Sequence, residues 1–377
     1  MKCGVGDYVE KLIENLRAKD VDAILLTSDD PLIKKNGYIN ALIKKWNIFS
    51  LRTILSFIKK EQPDFIHLQL PTIRYRPTLS AISLLPALSK IFFKNALFIV
   101  TLHDFSISRN FLKIFFLPIF LFSDAVIVTN EADRQDIVRH FPFLNERLKK
   151  IHIGPTIDIV DISDNRKKEI YGKIYYSENS RFLTTFGFIK KDRCIDKVIE
   201  AFHKLKEEDE KLKLIILGRV QDKKYRDYLF ELVDKLNLRG KAYFLESDSL
   251  EELSFCLSLS SLAILLYERG ASFRRSSLIN YVIRKIPVVT NLDKRYGVDA
   301  EFINSGMVLT IDSMDVDEIY EKAKLILYNV NVAGRLKQRM GRAREMFSWN
   351  HIADDMIGVY SELIKNRINV TEHKYYG

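Results

Sequence analysis

Residues 182–219 read FLTTFGFIKKDRCIDKVIEAFHKLKEEDEKLKLIILGR. The strand candidate 183–186 stops at Gly187, and three cations follow. Apolar residues then recur at helical spacing over 195–206 until an apolar run at 214–217. Near-continuous apolar runs such as LKLIIL mark parallel strands buried on both faces, and a helix joining two of them makes a right-handed crossover. The same alternation spreads in both directions. Upstream, strand candidates fall at 22–26, 65–68, 97–102 and 125–128; downstream, at 242–245, 262–266 and 288–290. Helix candidates at 8–18, 51–60, 133–140 and 225–236 lie between them. Repeated βα units predict an α/β chain built on doubly wound parallel sheets.

The series breaks once. Residues 163–180, SDNRKKEIYGKIYYSENS, are polar and charged without a strand pattern. They divide the chain into a first Rossmann-like domain at 1–165, a linker at 166–180 and a second Rossmann-like domain at 181–348. Each domain is close to the ~150 residues of a typical one. Ligands of open α/β sheets sit at the carboxyl ends of the strands, so the two domains are expected to face each other across a cleft. Residues 349–377 begin WNHIADDMIGVYSELIK, and Ile352, Met356, Val359, Tyr360, Leu363 and Ile364 share one helical face. They predict a helix packing back toward the first domain, with a loose tail from Asn366. At the front, the glycine turn KCGVGDY follows directly on Met1 and Lys2, so the first domain reads as lacking its first strand.

The 377 residues are 47% hydrophobic and 29% charged, which excludes collagen-like, low-complexity and largely disordered chains. Cys3, Cys194 and Cys256 form no CxxC pair, which speaks against a disulfide scaffold and for a reducing compartment. The balance of 59 Lys+Arg against 49 Asp+Glu gives +10 at pH 7. That surplus suits nucleic acid, an anionic membrane or phosphorylated substrates alike. No RRM, KH or helix-turn-helix pattern supports nucleic acid, so no nucleic-acid partner is expected. No run approaches the ~20 apolar residues of a membrane span, and MKCGVGDYVEKL lacks a signal-peptide core, so a cytoplasmic protein is expected. Segments 42–60, 79–94 and 109–122 crowd aromatic residues beside lysines. They predict peripheral contact with the anionic inner face of a membrane, although helices of such a domain must in any case bury one apolar face on the sheet.

Chemistry-bearing residues gather where strands end. Gly4 and Gly6 precede the first helix, where backbone N–H groups and the positive helix end favour a phosphate. His103 closes the run FIVTLH; a neutral imidazole there fits a sugar hydroxyl, while the plainer reading is a strand-end histidine holding a neighbouring loop. His67 and Gln69, at the end of FIHLQL, with Tyr75 and Arg76 beyond, read as part of the cleft wall. Lys190, Lys191 and Arg193 open the helix after Gly187, a natural diphosphate site unless they are only a solvated charged face. In GASFRRSSL, Gly270, Ser272, Arg274, Arg275, Ser276 and Ser277 combine hydroxyls with paired arginines that fit phosphate or ribose. HExxH, Walker A and serine-elbow motifs are missing, and no metal is expected.

In order and spacing these landmarks resemble family 4 of the retaining glycosyltransferases, which have the two-Rossmann-domain GT-B architecture. KCGVGDYVEKL resembles the family's N-terminal glycine turn and helix, LHDF its strand-end histidine motif, SDAVIVTNEADR its last N-domain βα unit and IHIGPTI its crossover. FGFIKKDRCIDKVIEAF is similar to its donor-phosphate loop and LIILGR to the following strand. IPVVTN and FSWNHIADDMIGVY are similar to its C-terminal landmarks. The resemblance runs over nearly the whole chain. It implies a nucleotide-diphosphate sugar as donor, bound mainly by the second domain, and a glycan or lipid-linked acceptor bound by the first. It also implies a hexosyltransferase-type reaction in surface polysaccharide biosynthesis, with retention and without metal or other cofactor.

Residue by residue, the resemblance puts Gly4 and Gly6 near the donor diphosphate and His103 at the transferred sugar. Arg193 takes the place of the family's phosphate lysine, and residues 270–277 fall on its paired-glutamate segment. Gln69, Tyr75 and Arg76 fall on the acceptor side. Three positions depart from the pattern: Phe188 stands where an arginine is usual, Arg269 at the first glutamate with Glu268 one residue early, and Ser277 at the second. The departures also fit a catalytically silent scaffold paired with an active transferase.

Overall fold

The computed structural model describes residues 4–30, 33, 37–71, 81–108, 110–247, 249–292 and 300–376. The chain divides into two compact units: unit 1 is Met1–Gly154 with Ser348–Gly377, and unit 2 is Pro155–Phe347.

In unit 1 the first described element is a helix, α1 (Gly4–Arg17), which buries Tyr8, Val9, Leu12, Ile13 and Leu16 along one face. β1 (Leu25–Ser28) and β2 (Ile39–Ile43) pair in parallel as a separate two-stranded sheet. After them come α2 (Ser50–Glu61), β3 (Phe65–Pro71), α3 (Ala81–Phe92), β4 (Leu97–His103), α4 (Asn110–Lys113), α5 (Leu117–Phe122), β5 (Ala125–Val128), α6 (Glu131–His140) and β6 (Leu148–Lys150). The strands β3-β4-β5-β6 lie in that order in one parallel sheet. Phe98, Ile99, Val100 and Leu102 of β4 are wholly buried, as a strand covered on both faces requires.

Unit 2 runs through α7 (Asp164–Lys173), β7 (Arg181–Phe186), α8 (Ile195–Glu208), β8 (Leu212–Leu217), α9 (Lys223–Lys235), β9 (Ala242–Leu245), α10 (Leu250–Ser258) and β10 (Ser260–Leu265). It continues with α11 (Ser276–Val282), β11 (Val288–Asn291), α12 (Ala300–Ser305), β12 (Leu309–Ile311), α13 (Val316–Tyr328) and α14 (Val330–Ala343). Its six parallel strands take the order β12-β11-β10-β7-β8-β9. From β7 the chain winds outward through β8 and β9, then returns to the other side of β7 with β10. The switch point of this doubly wound sheet therefore lies between β7 and β10, and open α/β sheets bind ligands beyond the strand ends there. Leu183, Leu214, Leu262 and Val289 from four strands pack with Val198, Ile199 and Phe202 of α8 in one core.

The last helix, α15 (Trp349–Tyr376), belongs to unit 1. Trp349 meets the Tyr8 ring at 5.5 Å, and Tyr360 stacks on Phe65 of β3 at 4.7 Å. Trp349 also lies against Gly154, where an added Cβ would stand 2.5 Å from the indole.

Some details differ from the sequence reading. The strand expected at 22–26 starts at Leu25, because Arg17 binds Asp22 at 2.8 Å and the Ala23 carbonyl at 3.0 Å and holds that stretch in the turn after α1. The first segment of unit 1 runs to Gly154, where a boundary at 165 was expected. Residues 166–180, expected as a linker, carry most of helix α7, which buries Ile170, stacks Tyr171 on Tyr176 at 3.9 Å and pairs Arg166 with Glu252 of α10. Residues 366–376 continue α15 where a loose tail was expected, and Arg367 donates to the Asn95 carbonyl at 2.6 Å.

Candidate functional site

In unit 2, β7 ends at Gly187 with φ 143°, a backbone that a side chain rarely adopts. An added Cβ there would stand 3.1 Å from the Arg193 guanidinium, so the missing side chain makes room for this arginine. Gly218, at the end of β8 with φ 139°, is tighter still: its Cβ would stand 1.9 Å from the Gly187 carbonyl oxygen. The three cations then separate. Lys190 pairs with Asp192 at 2.9 Å, Lys191 is exposed, and Arg193 turns inward over the Tyr267 ring, 4.7 Å from its centroid.

The loop after β10 meets this turn. The Glu268 N–H donates to the Asp192 carbonyl at 2.9 Å. The Asn291 amide brackets Tyr267, accepting from its N–H at 2.9 Å and donating to its carbonyl at 2.8 Å. The buried Tyr267 hydroxyl lies 2.8 Å from the Ser277 hydroxyl, and Arg275 approaches the same ring at 4.8 Å. Gly270 has φ 62° and lets the loop turn back so that Arg275 reaches its carbonyl at 3.4 Å. The Ser272 hydroxyl is occupied locally, accepting from the Arg274 N–H at 3.4 Å. Ser276 begins α11, Arg274 is half-buried, and Glu268 and Arg269 face solvent. The fold thus gathers Arg193, Arg275 and Ser277 around Tyr267 at the switch point and leaves Lys191, Glu268 and Arg269 outside that cluster. Phe188 and Arg193 also line a small pocket with Gly187 and Leu266.

In unit 1, His103 ends β4 and is 7% exposed. Its ring meets Tyr8 of α1 edge-on, centroids 5.1 Å apart. His103 Nε2 lies 3.0 Å from Gln69 Oε1, Gln69 Nε2 lies 3.2 Å from His67 Nε2, and His67 Nδ1 lies 2.9 Å from the Tyr360 hydroxyl. Thr101 Oγ1 lies 2.7 Å from His67 Nε2. Burial pulls His103 down to about 4 although Asp133 works the other way, and it pulls His67 down to about 3, assisted by repulsion from His103. Both rings are therefore neutral at pH 7.

Gln69 is thus tied into the histidine pair as well as standing at a strand end. Tyr75 and Arg76 lie outside the described residues. Gly4 and Gly6 form the first turn of α1 itself, where a turn preceding the helix was expected, and both are exposed. Among the described residues no group of three or more His, Cys, Asp or Glu side chains is arranged to hold a metal ion. Sequence reasoning missed Tyr267, Asn291 and Tyr360. Tyr267 carried a signal in closing the run LAILLY, whereas nothing in the sequence links Tyr360 to His67.

The family model described as Glycosyltransferase Family 4 matches residues 3–157, and that described as Glycosyl transferases group 1 matches residues 167–342. No curated protein matches the sequence. Several solved structures share the fold. A glycosyltransferase from Rickettsia africae is 16% identical, covering 96% of this chain and 95% of that one at a TM-score of 0.77. Sucrose-phosphate synthase of Thermosynechococcus elongatus is 15% identical over 97% and 94%, with a TM-score of 0.72. HepE of Anabaena, in complex with UDP and glucose, is 12% identical over 96% of each chain, with a TM-score of 0.71. With one family model on each half and the two parallel-sheet units in matching order, the chain belongs to the GT-B glycosyltransferases of family 4.

Proposed function

We propose that unit 2 binds a nucleotide-diphosphate sugar at the β7–β10 switch point and that the sugar passes, with its anomeric configuration retained, to a glycan or lipid-linked acceptor held by unit 1. The observation that carries this is the convergence of Arg193, Arg275 and Ser277 on Tyr267 beside the N-terminus of α8. Guanidinium groups held by an aromatic ring and a 14-residue helix pointing its positive end at the same place suit a departing diphosphate. HepE, crystallised with UDP and with UDP-glucose, supports this choice of donor class.

Arg193, Arg275, Arg274 and the N–H groups opening α8 would take up the charge that grows on the leaving diphosphate, so the reaction is proposed to need no metal. His103, neutral and held at a strand end, would bond a hydroxyl of the transferred sugar. A donor screen read by release of UDP, GDP or ADP, with and without EDTA, tests both points. The expected result is turnover with one donor class that EDTA leaves unchanged. Failure of every nucleotide and nucleotide-sugar to raise the melting temperature would overturn it.

One observation favours a second reading. Ser277, where the family carries a glutamate, shares a hydroxyl–hydroxyl hydrogen bond with Tyr267 and has no carboxylate for a ribose diol. A catalytically silent subunit would bind a nucleotide diphosphate weakly or not at all and turn over no donor even with its partner's acceptor present.

Unit 1 is further proposed to sit at the inner face of a membrane, in surface polysaccharide assembly, and its exposed residues support the membrane contact. Its adjacent helices α2, α3 and α5 account for Ile54, Leu85 and Phe120 as core. Phe49, Ile91, Phe92, Ile114 and Leu121 remain more than half exposed, with Phe49 at 83%, and Lys44, Lys45, Lys59, Lys60 and Lys94 are exposed in the same segments. Lys113 is not part of this face, since it is buried against Asp136 at 2.5 Å. Among the described residues no helix is long and apolar enough to cross a membrane. Salt-reversible cosedimentation with anionic vesicles, lost in Phe49→Glu/Phe92→Glu, is the expected outcome.

A further inference from the structure

Four side chains of unit 1 form one hydrogen-bonded row: His103, Gln69, His67 and Tyr360. Only two proton arrangements satisfy such a row, because a primary amide has one accepting and one donating end and a neutral imidazole has one of each. In the first, His103 Nε2–H donates to Gln69 Oε1, Gln69 Nε2–H donates to His67 Nε2, and His67 Nδ1–H donates to the Tyr360 oxygen. In the second, every donor and acceptor is reversed and the Gln69 amide is turned over. The Gln69 amide stands in the first orientation, with Oε1 at 3.0 Å from His103 and Nε2 at 3.2 Å from His67. Thr101, at 2.7 Å from His67 Nε2, fits either arrangement, donating to that nitrogen in the first and accepting from it in the second.

The geometry points to Gln69 as a positioning residue: with His67 and Tyr360 behind it, Gln69 holds the proton of His103 on Nε2 and so decides which nitrogen of His103 donates and which accepts. The helix α15 thereby acts on a strand-end residue of β4 that it does not itself hold. Gln69 and His67 face the same way because they stand two residues apart on β3, and the parallel register sets Gln69 beside Thr101. The consequence for turnover rests on the reading of His103 as the residue that bonds the sugar. The tautomer does not, and it is read on protein without substrate.

The test uses the full chain labelled with 15N-histidine. Two-bond 1H–15N spectra at pH 7.5 distinguish Nδ1–H from Nε2–H, and His103→Gln and His67→Gln assign the two rings. The expected spectrum of the unsubstituted protein shows His103 protonated on Nε2 and His67 on Nδ1. In Gln69→Leu, His103 loses the Gln69 acceptor, and its proton leaves Nε2 in part or whole. In Tyr360→Phe, which keeps the ring on Phe65, the His67 proton moves to Nε2, where Thr101 accepts it. The amide then turns over, and the His103 proton appears on Nδ1. For the enzyme, Gln69→Leu lowers kcat by about tenfold while KM for the donor stays within about twofold. A His103 proton found on Nδ1 in the unsubstituted protein, or a His103 tautomer unmoved by both substitutions, overturns the proposal even if the chain proves an active transferase. Absence of any turnover, with the spectra as expected, leaves the positioning role standing and overturns the functional reading instead.

Discussion

Arg193 lies over the ring of Tyr267, guanidinium to centroid 4.7 Å, at the point where the six-stranded sheet reverses its winding. A cation above an aromatic face gains roughly 0.5–2 kcal/mol and, more usefully here, loses rotational freedom before any ligand arrives. The ring is itself fixed at both ends, by Asn291 on its backbone and by Ser277 at its hydroxyl. Tyr267 therefore serves as a platform that presents cations in a fixed direction.

Removing the cation and removing the platform have separable effects. Arg193→Ala is expected to cost about 2–4 kcal/mol of transition-state stabilisation with an unchanged melting temperature. Tyr267→Phe keeps the stack and loses only the bond to Ser277, so its kcat/KM falls little. Tyr267→Leu loses the platform and approaches the Arg193→Ala value. Steady-state kinetics with the preferred donor, alongside thermal unfolding, checks all three. Normal turnover in Arg193→Ala would reduce the arginine to surface charge.

Acid should unfold unit 1 through the buried pair His67 and His103. Their folded values, about 4 for His103 and about 3 for His67, lie below the ordinary 6.5, so below pH 6.5 the unfolded chain binds more protons than the folded one. Stability is thus full above pH 6.5 and falls as the pH drops toward 4. The expected slope is about 1.4 kcal/mol per pH unit for each histidine. Urea midpoints between pH 7.5 and 4.5 measure it, and His67→Gln should remove close to half of that loss.

His103→Ala should lower kcat more than it raises KM. It also leaves Gln69 Oε1 without its donor, which costs about 1–3 kcal/mol of stability. The unfolding transition is expected to survive that cost as one cooperative step. Collapse of the fold would return His103 to a purely structural role.

Gly218→Ala should be among the most damaging single changes in unit 2. Its Cβ falls 1.9 Å from the Gly187 carbonyl oxygen, a backbone atom with no flexible side chain to move aside. The two strand ends must separate, at a cost of about 3 kcal/mol or more, and the turn carrying Arg193 shifts with them. Circular dichroism melts would show the loss, and nucleotide protection against heat should fall in parallel.

Much of the architecture is legible in the chain because β4, β7, β8 and β10 are covered on both faces, and short near-continuous apolar runs such as FIVTL and LKLIIL between helical stretches read as buried parallel strands. Strands β2, β6 and β12 escape that reading for physical reasons. β12 has three residues, β6 is LKK at a sheet edge, and β2 alternates buried and open positions. Helix α7 hides because Ile170 is its one buried residue and most of the others are exposed. At the site, glycine turns and cations show in sequence through residue type. The tie between His67 and Tyr360 spans 293 residues, and no local pattern encodes it.

That span also sets the order in which the chain can mature on the ribosome. Unit 2 is contiguous, so all of its residues emerge before Trp349 does. Unit 1 is begun first yet waits for α15 to cover Tyr8, Phe65 and His67. At ~10 residues per second, roughly half a minute separates the synthesis of His67 from that of Tyr360. Through that interval the nascent first sheet carries an uncovered apolar seam, and the first-made half of the enzyme is the last to close.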